Sequence, residues 1–194
     1  MKLKEVAFLR TGLVLNRKQV KPTDVEKFKY KQLTLKSINN DEVINENYLE
    51  EFISNENLKE EYFTHKNDVI VRLSYPYTAI IIDEQTEGLL VPSHFVIIRC
   101  DLEKIIPGYL QCILNSNEIH KQISLSTSTS MLGTIRPLFF SELEIKIISL
   151  EKQEKLAEIN RLCKEEIILL TKLKEEKQKY NSLLINKIQK EMEK

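Results

Sequence analysis

The sequence predicts an α+β protein in which a compact mixed sheet is followed by one long C-terminal helix. Short β-branched and aromatic runs separated by turns occupy the first 150 residues, which is typical of strands. Residues 151–194 contain no Gly or Pro, and their apolar residues recur every three or four positions, which predicts a helix. We therefore expect a body at residues 1–150 and a helical arm at residues 151–194.

Five segments of the body have the composition and the flanking turns of strands. These predicted strands are residues 6–10, 30–35, 68–73, 79–82 and 95–100. Together they predict one compact sheet.

The second half of the body begins with a helix signal. Pro107-Gly108 precedes apolar residues at helical spacing up to Ile123, which predicts a helix packed on the sheet. The hydroxyl-rich run at residues 124–130 predicts a loop. Residues 143–148 alternate like a last strand, and Ser149 is a plausible N-cap for the arm.

The arm carries an apolar stripe, which we call the seam, with Lys177 as its one charged interruption. The seam residues are Ile159, Cys163, Ile167, Leu170, Leu173, Tyr180, Leu184 and Ile188. A helix of about 60 Å is longer than the surface of one body on which it could pack. We therefore predict an antiparallel coiled coil with a second helix, and the alternative is an arm that folds back on its own body.

Composition sets the outer limits. The chain has 194 residues, of which 42% are hydrophobic and 30% charged, enough for one core plus an appendage. With no run of eighteen apolar residues and no signal peptide at the N-terminus, we expect a soluble, cytoplasmic protein without a membrane partner. Cys100, Cys112 and Cys163 form no CxxC pair, and we expect all three to be buried packing residues.

Charge is distributed in two opposed blocks although the formal net charge is zero. Residues 1–36 hold ten basic and three acidic side chains, whereas residues 37–61 hold one basic and eight acidic side chains. A fold that separates the two blocks would present one basic face to phosphates, and the alternative is that both blocks are ordinary solvated surface.

Catalytic and cofactor motifs are missing from the sequence. The four glycines are scattered, so no phosphate-binding glycine loop is present, and the three histidines have no metal-ligand spacing. The one loose candidate for an enzyme site is a carboxylate group at Asp68, Asp83 and Glu84. We therefore predict a non-catalytic protein with no cofactor and no metal.

Six groups of segments in this chain occur in an order that can be compared with that of known families. They are residues 2–7 with 10–13, residues 67–74, residues 91–99, the helix end at 109–116, the Ser/Thr loop with Gly133, and residues 143–159. In this order the chain resembles the target-recognition half of type I restriction-modification specificity subunits. It departs from that family at Ser149, where the family usually has proline.

The resemblance implies a function. Members usually carry two such halves, so it implies a half-subunit that pairs with a second copy through antiparallel helices and recognises a split, palindromic site in double-stranded DNA. Methyl transfer and cleavage would belong to separate subunits, the methyltransferase (modification) subunits and a restriction motor subunit.

Two groups of candidate DNA contacts follow from residue chemistry. Basic side chains suit phosphates, and donors or acceptors at strand ends and loops suit base edges. The phosphate candidates are Arg17, Lys18, Lys29 and Lys31, and the base or backbone candidates are Arg72, Tyr75, Tyr77, His94, Ser128, Ser130 and Arg136. For Tyr75, Tyr77 and the Ser/Thr run, a packed turn and a solvated loop are the structural alternatives.

Two other function classes stay open at this point. An adaptor protein would dimerise through its helix without reading DNA, and a coil-bearing enzyme would turn over a substrate alone. The adaptor ranks second and the enzyme third.

Overall fold

A computed structural model describes residues 1–20, 27–38, 42–127 and 133–192. The strands are β1 (Ala7–Thr11), β2 (Phe28–Gln32), β3 (Glu50–Ser54), β4 (Val69–Arg72), β5 (Ala79–Ile81) and β6 (Phe95–Cys100), and the α-helices are α1 (Pro107–Leu114), α2 (Asn117–Thr127), α3 (Pro137–Glu142) and α4 (Leu150–Met192). The α+β class and the long C-terminal helix are confirmed, as are all five predicted strands of the first 100 residues.

The main sheet has four strands in the order β1-β6-β4-β5, and each neighbouring pair is antiparallel. Val69 and Val71 of β4 face a core shared with α1, α2 and α3, whereas Ile70 faces a second core with Ile80 and Ile97. Because both faces are covered, the central strands β4 and β6 carry apolar side chains on both faces, apart from Arg72 and Arg99 near their ends.

A separate two-stranded sheet pairs β2 with β3 in an antiparallel ladder. Phe52 from this sheet packs with Leu13, Leu58, Phe63 and Leu90 in a third, smaller core. β3 carries no clear strand signal in the sequence, because two of its five residues are exposed glutamates.

Asn115 closes the outer edge of the main sheet. Its Oδ1 accepts the Ala79 N–H at 2.8 Å and its Nδ2 donates to the Ala79 carbonyl, also at 2.8 Å. The side chain thus satisfies backbone groups that an edge strand would otherwise leave open. Asn115 also ends α1, so the single predicted helix is two helices.

Two predictions for residues 124–148 are wrong. Residues 124–127 continue α2 instead of starting a loop, because the hydroxyls of Ser124 and Thr127 bond back to helix carbonyls at His120 and Ile123. Residues 143–148 form no strand, since only Glu144 pairs, in one isolated bridge with Lys2. The short helix α3 was not predicted from the sequence.

The root of the arm is fixed to the body by one buried side chain. Gln153 is fully buried; its Oε1 accepts the Ile106 N–H, and its Nε2 donates to the carbonyls of Lys104 and Ile148, each at 2.9 Å. A Cβ on Gly108 would lie 2.7 Å from the Ala157 Cβ. The absence of a side chain at Gly108 therefore lets α1 and α4 touch.

The cysteines differ from one another. Cys100 and Cys112 are half-buried, and burial raises the pKa of the Cys100 thiol to about 12, so this thiol stays protonated. Cys163 is exposed on the arm, so the expectation that all three cysteines are buried is wrong for this one.

Candidate nucleic-acid interface

Three loops meet at one end of the main sheet, which we call the loop end: residues 72–78, 92–94 and 133–136. The Leu73 N–H donates to the His94 carbonyl at 2.9 Å, and the Ile135 N–H donates to the Leu73 carbonyl at 2.8 Å. Ser74 pairs with Thr134 in an isolated bridge. The structure thus brings Arg72, Tyr75, Tyr77, His94 and Arg136 to one surface, although the sequence separates them by up to 64 positions.

Arg72 is half-buried and its guanidinium is already engaged. One terminal nitrogen donates to the Ile38 carbonyl at 2.6 Å and the other to the Tyr75 carbonyl at 2.8 Å. Its Nε is buried without a hydrogen-bond partner among the described residues, and desolvation lowers the pKa of Arg72. In this arrangement Arg72 joins two loops and is better placed to position them than to reach a base edge itself.

The two tyrosines of this end have different surroundings. Tyr75 is 75% exposed, whereas Tyr77 is 8% exposed and its hydroxyl donates to the Gly133 carbonyl at 2.6 Å. The two rings meet edge to face with centroids 6.2 Å apart. Tyr77 therefore supports the loop, and the Tyr75 ring lies on the surface of the loop end.

His94 and Arg136 are both exposed at the loop end. Desolvation lowers the pKa of His94, so its ring is neutral at pH 7 and can both donate and accept a hydrogen bond. Arg136 precedes α3 and lines a cleft of ≈ 650 Å³ with Ser126, Thr134 and Phe139. Ser128 and Ser130, the two predicted hydroxyl contacts, lie outside the described residues.

The basic block is not a separate basic face, contrary to the possibility that the sequence raised. The hairpin of β2 and β3 places Lys31 opposite Glu51, so the two charge blocks lie against each other. The resulting ion pairs are Lys18–Glu56 at 2.6 Å, Lys29–Glu51 at 3.2 Å, Lys31–Glu46 at 3.8 Å and Arg10–Glu61 at 2.7 Å. Of the four phosphate candidates, Arg17 alone has no ion-pair partner among the described residues.

The loose carboxylate candidates are used structurally. Asp68 accepts from Arg99 Nε at 3.1 Å and from the His65 N–H at 2.9 Å. Asp83 caps a turn at Thr86, and Glu84 pairs with Lys66 at 2.5 Å. Within the described parts of the chain, no group of His, Cys, Asp and Glu side chains could hold a metal ion.

The arm has two opposite faces. Gln153, Ala157, Asn160, Lys164 and Ile168 are its buried or half-buried residues, and Lys164 forms an ion pair with Glu42 of the body. From residue 169 to 192 every side chain is exposed. All eight seam residues are exposed, including Leu170 and Leu173 at 57% each and Tyr180 at 63%. The fold-back alternative therefore does not account for the seam.

No helix in the described ranges is both long enough and apolar enough to cross a membrane. No family model matches the sequence. No curated protein matches it either.

Solved structures match the fold over nearly the whole chain. The HsdS subunit from Thermoanaerobacter tengcongensis matches with a TM-score of 0.67 and 17% identity over 95% of this chain and 46% of that one. A chain from a structure that describes complex assembly and conformational transition of the type I R-M system matches with a TM-score of 0.68 and 18% identity, again over 95% and 46%. The chain thus spans about half the length of these neighbours, and its fold is that of one half of an HsdS specificity subunit.

Proposed function

We propose that this chain is a half-length specificity subunit of a type I restriction-modification system and that it acts in the cytoplasm. Its loop end would read one half of a split DNA site, and its arm would pair with a second copy to place two loop ends at a set separation. It would direct modification subunits and a restriction subunit to that site. Methyl transfer and cleavage would be carried out by those subunits.

The observation that carries this proposal is the exposed seam on a chain whose fold matches one half of an HsdS subunit. The seam needs a partner helix because exposed apolar stripes of this length are rare on monomers, and a second copy of this chain can supply that helix.

The test is reconstitution with the methyltransferase subunit encoded beside this chain's gene. We expect the complex to methylate DNA at a two-part palindromic sequence that sequencing of modified bases would identify. A complex that forms but methylates no defined sequence would favour the adaptor function instead. Turnover by the purified chain alone would favour an enzyme.

Arg72→Ala is expected to weaken binding to the cognate duplex at least about tenfold more than binding to a random duplex, because it releases two loops of the reading surface. Lys18→Ala is expected to change both affinities slightly, since Lys18 must leave its exposed ion pair with Glu56 to reach a phosphate. Its main effect is a lower salt dependence, because one phosphate contact is lost. Fluorescence anisotropy at two salt concentrations measures both effects. Equal losses on cognate and random DNA for Arg72→Ala would reject its role in specificity.

A further inference from the structure

The exposed half of the arm reads nearly the same in both directions about the peptide bond between residues 176 and 177. Positions at equal distance from that bond on its N-terminal and C-terminal sides carry similar apolar residues. These mirrored pairs are Leu173 and Tyr180, Leu170 and Leu183, and Leu169 and Leu184. All six side chains are between 42% and 68% exposed. With 3.6 residues per turn, they lie on the side of α4 roughly opposite to the face that contacts the body.

An antiparallel pair of identical helices has a two-fold axis perpendicular to them, so it places each residue level with its mirror position on the other copy. An inverted repeat about one bond is therefore the pattern that such a dimer needs. The inverted repeat therefore indicates that a second copy of this chain binds this face.

Charges on the same face follow the same symmetry. With the two-fold axis between residues 176 and 177, Lys177 lies level with the partner's Glu176, and Glu166 lies level with the partner's Lys187. Lys177 has no ion pair within the described residues of the arm. Glu176 pairs at 2.7 Å with Lys179 on the same exposed surface, a contact of the kind that contributes little and exchanges easily.

Other alignments lack this match. Sliding the partner by one heptad places Lys177 and Glu176 level with leucines, and a parallel alignment in register places Lys177 level with the partner's Lys177 and Glu176 level with the partner's Glu176. Like charges at these positions oppose pairing.

We infer that two copies pair antiparallel with their two-fold axis between residues 176 and 177, where Lys177 and Glu176 of each copy form reciprocal ion pairs. This inference rests on the proposed function for the existence of the dimer and adds its register. The bodies, attached around residue 160, are then separated along the arms by about 50 Å.

The test uses charge reversal in the full-length chain, with the dimer dissociation constant measured by analytical ultracentrifugation. Lys177→Glu and Glu176→Lys are each expected to raise that constant at least about tenfold, because both ion pairs at the axis become repulsive. The double variant Glu176→Lys/Lys177→Glu restores opposite charges and is expected to dimerise like the parent. An equimolar mixture of the two single variants is expected to form heterodimers.

Lys172→Glu is the matched control, since it makes the same charge change on the same helix level with the partner's neutral Asn181. We expect it to leave the dissociation constant unchanged, and circular dichroism checks that each variant keeps its helix. A dimer that tolerates Lys177→Glu would overturn the register and leave the proposed function standing. A parent chain that stays monomeric at micromolar concentration would overturn both.

Discussion

Leu173→Lys with Leu184→Lys is expected to convert the dimer into monomers and to abolish stable binding to the two-part site. The double substitution puts four ammonium groups per dimer where four leucines would be buried. Burial of one leucine contributes about 1.5–3 kcal/mol, so the dimer dissociation constant should rise at least about 10³-fold. Sedimentation velocity measures the first effect, and binding to duplexes that carry one or both half-sites measures the second.

The matched control adds the same charges to the side of the arm that faces away from the seam. Gln178→Lys with Gln189→Lys is expected to keep the dimer, because neither position lies on the face that carries Leu173 and Leu184. A dimer that survives the leucine substitutions would show that the seam is not the site of association. Thermal unfolding of the body should be the same in both variants, since all four substituted positions are exposed on the arm.

Gln153→Leu is expected to lower the free energy of unfolding by about 3 kcal/mol, because it removes the buried partner of three partly buried backbone groups, those of Lys104, Ile106 and Ile148. For a chain of this size, that loss corresponds to a Tm lower by ~10 °C. The substitution should also loosen the root of the arm. Differential scanning calorimetry measures the first effect, and small-angle scattering measures the second as a broader distribution of distances between the bodies.

Lys152→Leu is the control for this effect, because it makes a similar change at the neighbouring exposed position. We expect its Tm to stay within about 2 °C of the parent, as surface substitutions usually change stability by no more than about 0.5 kcal/mol. Equal shifts for both variants would contradict the role assigned to Gln153.

Local signals predicted most of the fold. Runs of apolar residues begin both β4 and β6, and the arm has an unbroken helical period, so each element was visible within its own segment. By contrast, β3 contains exposed glutamates, and only its pairing with the lysine-bearing strand β2 explains why they occur in a strand. Residues 143–148 alternate like a strand, yet their strand pairing is limited to one isolated bridge, between Glu144 and Lys2.

The sequence predicted which residues lie at the candidate site better than it predicted what each of them contacts there. Tyr75, His94 and Arg136 are exposed as the loop prediction required. The sequence could not reveal that Arg72 would bond to Ile38, or that Tyr77 would bond to Gly133, because both contacts join distant parts of the chain. Pairing of the two charge blocks escaped prediction for the same reason, since it depends on the register of β2 and β3.

The close approach of Gly108 to Ala157 couples distance to rotation. Because α1 packs closely against the start of the arm, the angle at which the arm leaves the body is fixed. Residues inserted between Ile168 and the two-fold axis would therefore not change that angle. Four inserted residues would move each body outward by ~6 Å and turn it by roughly 40° about the arm. Under the proposed function, a change in arm length would therefore alter which side of the double helix each body faces, as well as how many base pairs lie between the two bodies.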